Sequence, residues 1–347
     1  MENVLRLELH ELLKQVEPVR GNDRPTDQPI EAASFHQITV VVCTRNRPDS
    51  LRRTLRSLQS QTDSDFDLLV IDNGPESKST AKVFDDLQMP RSRYVAETRR
   101  GLSIARNTGL DNVLTNRVAW IDDDEVADEN WIKSLKLGFS HPSKPAAVCG
   151  LMLPAELETE AQIRFEQYGG FNKGRGLAYE VISIPSTIPL YPLPAVGSGG
   201  NMAFRMDVFS KVGHFDRHLG AGTRTHGGEE TKLFASLLSS GEVILHWPSA
   251  ITWHFHRQEM SELHHQFYGY SAGLTAFWAS MVRSEPSVLW ELLKLMPRAF
   301  TEYRQKGEGA TSEELPLDFP KSLFKSSQKG LAGGAFAYMY ETLRRET

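Results

Sequence analysis

Four acidic residues in a row, Asp122, Asp123, Asp124 and Glu125, follow the apolar run VAWI (118–121). Carboxylates this close repel one another, and at a strand end in a ligand cleft they are costly unless a cation or donor groups offset the charge. Hard oxygen ligands of this kind suit Mg²⁺ or Mn²⁺, ions that in turn bind a diphosphate. The plainer alternative is a solvated loop that caps the next helix at Asp128. Asp72, which follows DLLVI (67–71) and precedes Asn-Gly-Pro, is placed to accept hydrogen bonds from a base or ribose, or to make an ordinary turn. Thr44, Arg45, Asn46 and Arg47 follow the first apolar run, and Arg99, Arg100 and Arg106 surround a later crossover; guanidinium groups there suit phosphate. Glu229 and Glu230 open a helical pattern after Gly227 and Gly228, where a carboxylate serves either to cap the dipole or as a general base. In WHFHR (253–257), His254 and His256 share one face if the chain stays extended, and one imidazole can complete a metal site that Asp124 begins.

These residues need a scaffold that brings strand ends together. From residue 36 apolar runs alternate with helical patterns: ITVVVC (38–43), a helix over 49–61, DLLVI (67–71), a short YVA (94–96), a helix over 102–114, and VAWI (118–121). Strand–helix alternation implies a parallel sheet with right-handed crossovers, in which ligands bind at the carboxyl ends of the strands. The candidate residues lie just past those ends. Further strands are expected over 146–153, 201–205 and 242–247, with a helix over 227–240. Residues 154–200 are rich in Gly and Pro and read as binding loops, with the aromatics from Phe165 to Phe171, and Tyr191, as candidates for the acceptor site. A helical pattern over 258–303, broken at Pro286 and Pro297, leads to a mixed tail ending in a helix over 331–345. The division expected is an N-terminal helix and linker (1–35), an α/β catalytic domain (36–257) and a helical C-terminal extension (258–347).

The composition fits an ordinary globular protein: 347 residues, 40% hydrophobic, 24% charged, with 39 Lys and Arg against 44 Asp and Glu for a net charge of −5. A pI near 6.1 supplies no global basic field, so no nucleic-acid partner is expected. Two distant cysteines, Cys43 and Cys149, build neither a disulfide scaffold nor a Cys-rich zinc site. With no signal peptide and no spanning apolar run, a cytoplasmic location is expected. The segment LWELLKLMPRAF (289–300) leaves contact with the inner face of a membrane open, beside packing on its own domain or a second subunit.

Taken as a set, VVVCTRNRPDSLRRTLRSLQSQT, DLLVIDNG, RGLSIARNTGL, VAWIDDDEVAD, GSGGNMAFRMDVFSKVGHFD, GGEETKLFASLLSSG and WHFHR resemble, in order and spacing over residues 37–257, a family 2 glycosyltransferase of the GT-A fold. The resemblance implies a Rossmann-like, mostly parallel sheet flanked by helices. It implies that Thr44, Asn46 and Asp72, with Arg45 beside them, surround the nucleotide, while Arg99 and Arg106 flank the base or phosphates. Asp122 and Asp124 resemble the two acidic positions of the Asp-x-Asp motif, with Asp123 in the middle. Asp124, Asp122 and His254 are then the expected metal ligands for Mn²⁺ or Mg²⁺, and Gly199, Gly200 and Asn201 the loop near the donor sugar. Glu230 stands where the family has an Asp after Glu as catalytic base; the extra methylene leaves Glu229 as the other candidate.

The implied reaction is inverting transfer of a sugar from a nucleotide-diphosphate sugar, UDP-sugar favoured, to a hydroxyl of a glycan, a lipid-linked acceptor or a small molecule. Three other readings compete. A phosphoaspartate-type phosphohydrolase would use Asp122 as nucleophile, but that class carries its motif on the first strand, and three strand candidates precede the strand that leads to Asp122 here. An inactive sugar-nucleotide-binding subunit predicts missing acidic residues, and all are present. A nucleotidyltransferase would need a Gly-rich loop after the first strand, and TRNRPDSL has no glycine. Self-association is left open.

Overall fold

The computed structural model describes residues 38–173, 175–184, 189–190, 196–305, 315–316 and 318–346. The expected N-terminal helix and linker, and Tyr191, lie outside the described residues.

Strands β1 (Ile38–Thr44), β2 (Asp67–Asn73), β3 (Ser92–Glu97) and β4 (Arg117–Trp120) run parallel in the order β3-β2-β1-β4. All of β1 except Cys43 is buried, as a strand covered on both faces must be. The crossovers are α1 (Pro48–Gln59), α2 (Ser79–Leu87) and α3 (Leu102–Asn112). Helix α1 opens on Pro48, whose missing amide costs nothing in a first turn. It buries Leu51, Thr54, Leu55 and Leu58, a stripe at helical spacing.

Beyond β4 the chain forms β5 (Glu125–Ala127), α4 (Trp131–Phe139), β6 (Ala147–Pro154), α5 (Glu160–Gln167), β7 (Glu180–Ile182), β8 (Met202–Arg205), α6 (Phe209–Val212), α7 (Glu229–Ser239) and β9 (Ile244–His254). The sheet continues β4-β8-β6-β9-β5, with β7 also paired to β9. The pair β6 and β9 is parallel; β8, β5 and β7 run antiparallel to their neighbours. One apolar layer under the sheet includes Leu51, Val83 and Trp131, and the other Leu110, Trp120, Phe204 and Leu237.

Strand β9 is longer than the expected run over 242–247, because it passes through Pro248 and ends on His254. A register shift opposite Cys149 and Leu151 absorbs the proline, as a bulge does. Asn201 occupies this irregularity: its amide nitrogen donates to the carbonyls of Leu151 (3.1 Å) and Ala250 (2.8 Å), and its oxygen accepts from Trp131 Nε1 (2.9 Å). A methyl group on Gly150 would run into both Asn201 and the Ala250 carbonyl.

Three helices follow, α8 (Met260–Ser284), α9 (Val288–Gln305) and α10 (Lys321–Glu346). The expected break at Pro286 occurs, whereas α9 continues through Pro297. The backbone bond that Pro297 cannot make falls at exposed Leu293, where water can take it up. Helix α10 lies against α8 through Gly330 and Gly334, where any Cβ would collide with the backbone of Tyr268 or Ala272. On its other side α8 places Gly273 against Gly227 and Gly228, immediately before α7. Gly228 has φ of 94°, a left-handed conformation that glycine adopts without strain.

Candidate active site

The strand register gathers the site. Thr44 pairs with Asp72, and Asn73 with Glu97, so the carboxyl ends of β1, β2 and β3 are level. A cleft of about 400 Å³ opens there, lined by Cys43, Thr44, Arg45, Arg47, Asn73, Gly101, Leu102, Ala105, Asp122, Asp123, Asp124, Ala221, Gly222 and Arg257. Arg47, Asp124 and Arg257 also border a second cleft, which reaches Arg53, Glu156 and Glu262.

The three aspartates are held in different ways. Asp123, 5% exposed, accepts from Thr44 Oγ1 at 2.6 Å and from Arg47 Nη1 at 3.1 Å. Burial pushes its carboxyl up to about 6, with the charge of Asp124 adding to the rise. For Asp124, burial alone would raise the carboxyl; His254, Arg47 and Arg257 overcome it and hold it below the usual carboxylate range. Asp124 Oδ2 accepts from Arg47 at 3.1 Å and lies 3.8 Å from Arg257, while its Oδ1 lies 3.4 Å from His254 Nε2. Asp122 turns the other way, to Arg106 Nη2 at 3.6 Å. Glu125 is fully buried on β5, with burial raising its carboxyl well above the ordinary value. Gly200 is small because Glu125 and Asp122 occupy the space a Cβ would need.

Arg106, on α3, is 2% exposed at its side chain and bonds Glu229 Oε1 and the Gly199 carbonyl, each at 3.0 Å. Glu229, in the first turn of α7, is therefore an ion-pair partner facing the interior. Burial raises its carboxyl, and Arg106 opposes the rise. Glu230 is half-buried, and its charge bears on both Arg106 and Asp122. The segment before α7 is tied to α3, as Leu102 N donates to the Ala221 carbonyl (2.9 Å) and Ser103 Oγ to that of Leu219 (2.7 Å).

Several expected residues take other roles. Asn201, expected near the donor sugar, spends its side chain on the β6–β9 irregularity. Asp122, expected to share a metal with Asp124 and His254, is drawn away by Arg106; among the described residues no three His, Cys, Asp or Glu side chains converge on a metal position. Arg99 makes a bidentate pair with Glu97, at 3.0 and 2.8 Å. Asp72 is buried beneath the cleft and accepts from the Tyr94 hydroxyl at 2.7 Å, whereas its neighbour Asn73 lines the cleft. Asn46 is exposed with φ of 54° and accepts from Glu76 N at 3.1 Å. Asn73 escaped the sequence reading, yet it joins two loops: its Nδ2 donates to the Arg99 carbonyl (2.7 Å) and its Oδ1 accepts from Gly101 N (2.9 Å). Arg257 was legible only as a neighbour of the histidines. Burial pushes the Cys43 thiol up to about 12, which removes it as a nucleophile.

Asp124 and His254 do fit a divalent cation. A carboxylate oxygen and an imidazole nitrogen at 3.4 Å are separated about as adjacent ligand atoms of such an ion are, and excess buried carboxylate surrounds them. Remaining positions would fall to phosphate oxygens and water in the open cleft.

This sheet with an acidic strand end and a nucleotide-sized cleft has the GT-A glycosyltransferase fold. It superposes on a mannosyltransferase from Pyrobaculum calidifontis, solved in complex with GDP-Man and Mn²⁺, with a TM-score of 0.54 at 16% identity, covering 97% of this chain and 95% of that one. The model of the family described as glycosyl transferase family 2 matches residues 39–213, and the chain belongs to that family. A pre-mycofactocin glycosyltransferase of Mycobacterium tuberculosis is 26% identical over 253 residues, 71% of this chain and 48% of the relative. The succinoglycan biosynthesis protein ExoM of Rhizobium meliloti is 30% identical over 227 residues, 61% of this chain and 65% of the relative. The chain thus spans about half the length of the mycobacterial relative.

Proposed function

We propose that the protein is a metal-dependent, inverting glycosyltransferase that moves a sugar from a nucleotide-diphosphate sugar, UDP-sugar foremost, to a hydroxyl of a glycan, glycolipid or glycosylated metabolite. The observation that carries this reading is the cleft at the ends of β1 and β4, where Asp122, Asp123 and Asp124 face Arg47 and Arg257. Family membership agrees with it, and so does the Mn²⁺ and GDP-Man of the Pyrobaculum protein. Residues 36–257 form the catalytic unit on this reading, and the helices after it brace the approach to Glu230.

Asp124 and His254 would hold the ion, Mn²⁺ or Mg²⁺, with Asp122 toward the ribose. A bound ion would supply positive charge against the diphosphate as it leaves. Arg47 and Arg257 release Asp124 in part and turn to phosphate oxygens, a bidentate task that suits guanidinium. Asn73 and Thr44, with Asp72 and Asn46 around them, border the nucleoside. Glu230 takes the proton of the acceptor hydroxyl as it attacks the anomeric carbon, and direct displacement inverts that centre. Glu229 keeps Arg106 in place. Two unpaired thiols suit a reducing cytoplasm. Among the described residues no helix is long and apolar enough to cross a membrane, and the exposed Leu289, Trp290, Leu293 and Met296 of α9 suit shallow contact with a lipid surface. A phosphoaspartate hydrolase is not favoured, since Asp122 follows the fourth strand and faces Arg106.

A thermal-shift panel of UDP-, GDP-, dTDP- and CMP-sugars, with and without Mn²⁺, tests the reading on the wild type and on Asp124→Ala. A donor at 100 times its Kd stabilises the native state by about 2.7 kcal/mol. The expected result is stabilisation by UDP-sugars that needs Mn²⁺ and is lost in the variant. Stabilisation by none of the donors in a folded protein would overturn it, and absence of Mn²⁺-dependent donor hydrolysis would mark an inactive binder.

A further inference from the structure

A chain of side chains runs from the back of the cleft to Asp124. Glu166, near the end of α5, places Oε1 2.8 Å from His256 Nε2. His256 Nδ1 lies 2.8 Å from His254 Nδ1, and His254 Nε2 lies 3.4 Å from Asp124 Oδ1. Both imidazoles are almost completely buried. Phe171 packs on His254 at 4.6 Å between ring centroids, and Phe165 meets His256 edge-on at 4.9 Å. Gly170, in the left-handed region with φ of 52°, has no side chain because the Glu166 carboxylate fills that space.

The hydrogens can be assigned from this geometry. A metal-ligating imidazole is neutral; two such rings carry two ring hydrogens, and the chain has three gaps to fill. A carboxylate only accepts, so the gap at Glu166 needs a hydrogen on His256 Nε2. His256 then offers Nδ1 as an acceptor, and the gap between the rings needs a hydrogen on His254 Nδ1. Facing lone pairs at 2.8 Å would repel, so neither short gap can be left without one. With both rings neutral, the widest gap, between His254 Nε2 and Asp124, is left with two acceptors facing each other, a pairing that calls for a positive charge between them, either a proton on His254 Nε2 or a metal ion.

We propose that Glu166 and His256 are positioning residues that fix His254 as the Nδ1–H tautomer, so that its Nε2 lone pair and Asp124 together form the protein's half of a divalent-cation site. This rests on the proposal above that Asp124 and His254 hold the ion. It also explains why WHFHR carries two histidines: His254 faces the ion and His256 aims it. Partners of this kind raise ligand basicity and orient the ring, and their removal weakens metal binding by about 10–100-fold.

Two readouts test it. In the metal-free wild type at pH 7.5, imidazole ¹⁵N shifts are expected to show His254 protonated at Nδ1 and His256 at Nε2; a His254 protonated at Nε2 alone overturns the proposal whatever the metal does. Mn²⁺ titration followed by electron paramagnetic resonance is then run on variants. Glu166→Leu and His256→Phe are expected to weaken Mn²⁺ by about 10–100-fold, while Glu166→Gln and His256→Asn, which keep an acceptor in place, restore most of the affinity. If Asp124→Ala and His254→Ala abolish binding but Glu166→Leu and His256→Phe bind like the wild type, the ion site stands and the relay is wrong. If Asp124→Ala and His254→Ala also bind like the wild type, the ion lies elsewhere and both readings fall. Melting temperatures of the metal-free variants separate lost affinity from lost folding.

Discussion

Arg106 and Glu229 are a buried ion pair beside Asp122 at the cleft, both within 5% of full burial at their side chains. Such a pair adds little over apolar packing, but removing one member leaves an uncompensated charge that costs about 3–5 kcal/mol. Arg106→Met is therefore expected to lower unfolding free energy by about that amount. The double change Arg106→Met with Glu229→Leu should recover much of it. Urea denaturation of the single and double variants checks this, and equal losses in both would show that the pair itself stabilises. The same pair explains why two adjacent glutamates part company. A helical turn directs Glu229 inward to α3 and leaves Glu230 half-buried toward Asp122. The alternative in the sequence, which of the two carboxylates acts as base, thereby reduces to a geometric one.

Strand β9 does several jobs along its 11 residues. Its start lies beside β6, its middle absorbs Pro248 with the help of Asn201, and its end delivers His254 across from Glu125. His246, near its start, is 1% exposed, and burial pulls its imidazole down to about 4 from 6.5, with Arg175 adding to the fall. The folded state thus keeps His246 neutral while the unfolded chain takes up a proton below pH 6.5. This contribution to stability is complete above that pH and is lost as pH falls from 6.5 toward about 4. His246→Gln cannot take up that proton, so its stability is expected to vary less over this window. Chemical denaturation at stepped pH would show it, and unchanged pH dependence would assign the acid loss to other groups.

At the scale of the molecule, the C-terminal helices and the sheet with its crossovers meet at Asp216. This carboxylate accepts from His218 Nδ1 (2.9 Å), Lys232 Nζ (2.9 Å), Ser280 Oγ (2.6 Å) and the Tyr338 hydroxyl (2.9 Å). These donors come from its own loop, α7, α8 and α10, and they hold Asp216 well below the usual carboxylate range despite its burial. Glycine contacts between α8 and both α10 and Gly227–Gly228 reinforce the junction. Asp216→Ala removes the acceptor for four donors and is expected to cost about 3–5 kcal/mol, as breaking a buried pair does. Amide hydrogen exchange should speed up in α10 and in residues 216–228 before it does in β1 and β2. Uniform loss of protection across the sheet would instead make Asp216 a part of the global core.

Local chemistry made much of this protein legible in one dimension. Continuous, β-branched apolar runs such as ITVVVC suit buried strands, stripes such as Leu51, Leu55 and Leu58 suit a helix facing a core, and four successive acidic residues after a strand call for positive charge, met here by Arg47, Arg106 and Arg257. The helices α2 and α5 have no counterpart in the sequence pattern, since short amphipathic turns compete poorly with the turn signals around them. What sequence spacing could not decide was which way each polar side chain turns. Asp122 goes to Arg106, Asp124 to His254, Asn201 into an irregularity made by Pro248 from 47 residues further on, and Glu166 to a histidine 90 residues away. Those choices depend on burial and on partners brought together by the sheet. A carboxylate's energy is set by the dielectric and charges within a few ångströms of it, and only the tertiary structure specifies these.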